Sequence, residues 1–149
     1  MKRAWLFFFV MSLILSVLNI DQSFAQAKNP FLEIIKCPEE ILNENAEISV
    51  MIHLPKGHAY NEETPFQFEI LKEGKILRSG ILKDPANELP LNIHLDPQYK
   101  GPSTLEIKLE VPYCSTALPK LCKFKSVKFV QPFSTGANGK PLLQLETQI

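Results

Sequence analysis

Glycine is scarce in this chain, six of 149 residues, and none of the six forms a phosphate-cradling cluster. That argues against nucleotide binding. An excess of either charge is missing too, since 16 Lys and Arg balance 16 Asp and Glu. Without such an excess there is no electrostatic reason to expect nucleic acid or an anionic membrane surface as a partner. No serine sits in a nucleophile elbow and no paired-carboxylate motif stands out, so hydrolase chemistry has no sequence support. Low-complexity tracts, helical repeats and amphipathic helices of useful length are all absent. The three histidines are dispersed: His53 alternates with apolar residues, His58 falls in a loop near Glu62 and Glu63, and His94 stands alone. That pattern lacks metal-ligand spacing, and neither a metal nor a cofactor is expected.

What is present begins with a basic pair, Lys2 and Arg3, ahead of an apolar run from Trp5 to Leu18 interrupted by Ser12 and Ser16. Ser23 and Ala25 suit cleavage before Gln26, and Ala25 and Ala27 suit cleavage before Lys28. Residues 1–25 therefore read as a cleaved secretory signal. The run is shorter than the roughly 20 residues that span a bilayer, so no permanent membrane span is expected. The chain is expected to be exported, periplasmic or secreted, with other exported proteins as its partners. Loss of Lys2, Arg3 and Asp21 leaves the remainder within one charge of neutrality. Residues 30–149 fit a single domain with one core.

The patterning of that domain is β. Ile48, Val50, Ile52 and Leu54 alternate with Glu47, Ser49, Met51 and His53 over residues 46–54. Phe66, Phe68 and Ile70 repeat the rule, and the turn residues at 72–75 make 66–82 a hairpin. A short strand is expected at 91–95. The clearest is 104–111, where Leu105, Ile107, Leu109 and Val111 share one face. Another follows at 123–130, its phase slipping in a way that predicts a bulge near Ser126. Edge strands are expected at 31–35 and 142–149. Seven prolines, from Pro55 to Pro119, punctuate these strands where a missing donor harms no ladder. The reading is all-β: an immunoglobulin-like antiparallel sandwich of about seven strands. In the 54–65 segment, Pro55, Gly57, Asn61 and Pro65 read as turn formers of a crossover.

Three cysteines are an odd number for an exported chain, so one is left over. Cys114 ends one long strand and Cys122 opens the next, which brings the thiols within disulfide range across adjacent strands. Cys37, beside Pro38, reads as a small half-buried thiol. The pair has two main readings. A structural bond closing so short a loop is worth about 2.5 kcal/mol of chain entropy. Thiol-disulfide exchange would be favoured by Lys120, Lys123 and Lys125, whose charge near Cys122 stabilises a thiolate.

Two stretches carry a family resemblance. They are Leu54-Pro-Lys-Gly57, followed by Asn61 and Pro65, and Tyr113-Cys114 with Cys122 before an alternating strand. Together, over residues 46–133, they resemble the carboxy-terminal β-domain of NHL-repeat-containing thioredoxin-like proteins. More distantly the chain is similar to the immunoglobulin-like amino-terminal periplasmic domain of the disulfide reductase DsbD. That second resemblance implies Cys114 and Cys122 as a redox pair exchanging electrons with separate partners, a thioredoxin-like oxidoreductase among them.

Overall fold

Alternation of apolar and polar side chains becomes nine strands in the computed structural model, which describes residues 32–95 and 102–149. They are β1 (Leu32–Lys36), β2 (Glu40–His53), β3 (His58–Tyr60), β4 (Phe66–Lys72), β5 (Lys75–Leu82), β6 (Leu91–His94), β7 (Ser103–Ser115), β8 (Cys122–Thr135) and β9 (Lys140–Gln148). A helical turn, α1 (Pro85–Glu88), starts at a proline, whose fixed φ suits the first helical position, and links β5 to β6. The export signal read at residues 1–25 lies outside the described residues. Among the described residues no helix is long and apolar enough to cross a membrane.

The fold is all-β, with nine strands among the described residues where about seven were expected, and its pairing is mixed where an antiparallel sheet was expected. The hydrogen-bonded order is β5-β4-β7-β8-β2-β6, with β1 on β8, β3 on β7 and β9 on β2. β1 runs parallel to β8, and β2 runs parallel to both β8 and β9. Parallel neighbours require long connections, and here each connection consists of intervening strands. β3 is the strand that turn-forming residues hide. It has only three residues and exists because the end of β7 offers it a free flank at 113–115.

No bulge occurs at Ser126. The β7–β8 register is unbroken from Ser103↔Phe133 to Cys114↔Cys122. The phase slip has another cause: Phe124 lies with Ser126 on the outer face, 47% exposed beside Glu69 and Glu110, while Val127 and Phe129 point inward. An apolar residue on the outer side imitates a change of period. The real irregularities sit in β4–β5, between Ile70 and Leu71, and in β2–β9, between Leu42 and Glu47.

β2 changes company along its length. Residues 40–42 pair with β8, and from Glu47 onward the strand is flanked by β9 and β6. The continuous sheet thereby turns back over itself. Inward residues from its two ends share one core: Ile48, Val50 and Ile52 of β2 lie in the same buried cluster as Ile70 of β4, Leu105, Ile107 and Leu109 of β7, and Phe129 of β8. A direct bond also crosses between the layers, from the Tyr60 hydroxyl to the Ile52 carbonyl at 2.9 Å. Each fully buried aliphatic side chain contributes about 1.5–3 kcal/mol, so this shared core dominates the stability. The outer face carries ion pairs, Lys128–Glu106 at 2.7 Å and Lys108–Glu69 at 3.7 Å, which add little individually.

The β8–β9 turn packs against the crossover in β2. Gly136 donates its N–H to the Leu42 carbonyl at 2.9 Å, and a Cβ on Gly139 would collide with the backbone of Leu42 and Asn43. Backbone cannot yield as a side-chain tip can. Gly139→Ala is therefore expected to lower stability by about 1–3 kcal/mol in urea unfolding. Gly136→Ala, whose Cβ would meet only the Ile41 side chain at 3.4 Å, should change it by less than about 0.5 kcal/mol.

Candidate functional site

The long β7–β8 ladder ends at the cysteine pair. Cys114 and Cys122 are directly opposite in register, their Cα atoms are 3.9 Å apart, and a disulfide joins them. Their exposures differ sharply. Cys114 is 3% exposed because β3 covers its flank, with Ala59 opposite it, whereas Cys122 is exposed.

The loop between them is ordered by its own hydrogen bonds. The Ser115 N–H donates to the Leu121 carbonyl at 2.8 Å, and the Leu121 N–H donates to the Ser115 hydroxyl at 2.9 Å. Thr116 ties the loop to the crossover through its N–H and hydroxyl, both donated to the Gly57 carbonyl at 2.8 and 3.0 Å. Gly57 holds φ at +75°, a conformation that favours glycine, so the motif residue has a local structural reason. Asn61 closes the same crossover, accepting from the Glu63 N–H at 3.1 Å and donating to the Thr64 hydroxyl at 2.9 Å.

The lysines do not converge on Cys122 as the sequence suggested. Lys125 is drawn to Glu33 at 2.9 Å. Lys123 is adjacent to Cys122 on the same strand, and successive strand residues point to opposite faces. Lys120 lines a cleft of about 410 Å³ with Tyr60, Glu62 and Glu63, and Cys114 forms part of the same wall. The hairpin also presents apolar side chains to solvent: Leu118 is 93% exposed, Leu121 60% and Phe124 47%.

The remaining candidates are dispersed. His53 lies 3.3 Å from Glu146, His94 lies 3.6 Å from Glu47, and His58 packs edge-on against Tyr113. Among the described residues no group of three or more His, Cys, Asp or Glu side chains is placed to hold a metal ion. Cys37 is a free, half-buried thiol, and burial pushes its pKa above the ordinary value. Two features had weak sequence signals. The roles of Ser115 and Thr116 depend on loop closure, and Tyr60 gains its partner only when the layers stack.

A chain with Cys114→Ala and Cys122→Ala should keep its fold and lose about 2.5 kcal/mol in urea unfolding, no more than one buried leucine is worth. Cys37 should label slowly with iodoacetamide at neutral pH and faster as pH rises past the ordinary thiol range, because burial disfavours its thiolate. No family model and no curated protein matches the chain, so the functional reading rests on the hairpin's geometry.

Proposed function

We propose that the chain is an exported, immunoglobulin-like accessory module that acts through contacts with other exported proteins. In this reading the Cys114–Cys122 disulfide is structural. One observation carries it: a disulfide-closed, internally hydrogen-bonded loop holds Leu118 at 93% exposure and Leu121 at 60%. Apolar side chains fixed in solvent by an ordered loop are suited to burial against a partner. The residues named for the amino-terminal signal support an oxidising destination, where such a bond persists.

A second reading is favoured by the unequal exposure of the two sulfurs. A thiolate of a partner dithiol would attack the exposed Cys122 sulfur, forming a mixed disulfide and releasing Cys114 as thiolate. The partner's second thiolate would then displace Cys122, leaving the partner oxidised and this pair reduced by two electrons. The resemblance to the thioredoxin-associated β-domains and to the DsbD domain belongs with this reading.

The reduction potential of the pair separates the two. A value below about −300 mV is expected for the structural bond, and one within the range of thiol oxidoreductases, roughly −120 to −270 mV, would replace it with exchange. In the second case Cys114→Ser should trap a mixed disulfide through Cys122. Export has its own check: residues 1–31 fused to leaderless alkaline phosphatase should give an active enzyme, and an inactive fusion would refute the destination.

A further inference from the structure

β5 ends the hydrogen-bonded order: it pairs with β4 and with no other described strand. Lys75, Ile76, Arg78, Ser79 and Ile81 are all exposed along it. A bulge then sorts these side chains by chemistry, because the register steps from Leu71↔Ile76 to Ile70↔Arg78 and leaves Leu77 as the extra residue. Ile76 lies opposite Leu71 and Ile81 opposite Gln67, both on the outer face, where they are 53% and 55% exposed. Lys75, opposite Lys72, and Arg78, opposite Ile70, fall on the other face. The edge is thus apolar on one side and cationic on the other.

The cations are not consumed within the molecule. Gly80 leaves room for the Phe68 ring, since a Cβ there would meet that ring at 2.7 Å, and Arg78 lies over the ring 5.4 Å from its centroid. Neither Lys75 nor Arg78 has an ion pair among the described residues. β5 itself holds no carboxylate, and those beside it have other partners. Glu69 faces Lys108 at 3.7 Å, Glu73 accepts from the Ser103 hydroxyl at 3.2 Å, and Asp84 accepts from the Asn87 side-chain amide at 2.7 Å. Cations on an edge strand keep like edges apart. A second copy of β5 would bring the same cations together, so the charge selects against self-pairing. It does not select against an acidic strand, and the two exposed isoleucines favour contact.

We propose that β5 takes an added strand from a partner segment in which apolar and acidic residues alternate. Backbone bonds along the free flank hold the segment, and its side chains set the choice of partner. Its apolar row covers Ile76 and Ile81, and its carboxylates on the opposite face meet Lys75 and Arg78. β4 and β7 stand between this edge and β8, so the surface is separate from the Leu118–Leu121 loop. It serves as a second contact site whether the disulfide is structural or exchanges.

The test titrates a labelled, end-blocked hexapeptide of alternating valine and glutamate into the full chain with its disulfide closed. Saturable binding is expected, with amide shifts across residues 75–82. Lys75→Glu combined with Arg78→Glu should weaken binding about tenfold and make the chain prefer a hexapeptide of alternating valine and lysine. Ile76→Ser combined with Ile81→Ser should weaken it without that change of preference. Should the variants not fold, two peptides make the distinction on the unaltered chain: the valine–lysine peptide, and the valine–glutamate peptide methylated at its backbone nitrogens, neither of which is expected to bind. Absence of saturable binding, equal binding of either control peptide, or dimerisation of the peptide-free chain through β5 would overturn the proposal. Shifts confined to the 115–121 loop would overturn it too, while leaving the accessory reading of that loop standing.

Discussion

The structure depends on β2 belonging to both layers. A 14-residue strand that pairs first with β8 and then with β9 and β6 joins the two ends of the sheet covalently and through hydrogen bonds. Its inward row, from Leu42 through Ala46 to Ile52, contributes to the core along almost the whole length of the strand. The crossover between Leu42 and Glu47 must be irregular, because a strand cannot serve two layers without leaving one ladder. Asn43 supports that irregular stretch by accepting from the Asn45 N–H, and Gly139 lets the β9 turn approach it.

The same end of the molecule gathers the functional features. β3 lies across the tip of β7, shields Cys114 on one side and reaches Ile52 through Tyr60 on the other. The disulfide is thus attached to an element that is already held by ladder pairing and loop hydrogen bonds. A bond worth about 2.5 kcal/mol is small beside such a core, so its contribution is local order at the tip. That order matters because it determines how Leu118 and Leu121 are presented.

Much of the strand content was legible in the sequence. The alternation over 104–111 and 46–54 reflects burial on one side of a layer, and Leu105 to Val111 and Ile48 to Ile52 are inward as that period requires. The stretch around Ser126 misled because Phe124 is apolar yet faces outward, and a local apolar period reads such a residue as inward. β3 was hidden because three residues carry no period. The lysines near Cys122 looked convergent in sequence, but strand alternation and Glu33, a residue of β1, separate them in space.

By itself the sequence determined the all-β class, the positions of most strands and the opposition of Cys114 to Cys122, because these follow from local period and from hairpin connectivity. Only the tertiary structure decided which strands run parallel, where β2 changes layers, and why one sulfur is buried and the other exposed. Each of those is set by contacts between segments far apart in the chain, and a local pattern holds no record of its distant neighbours.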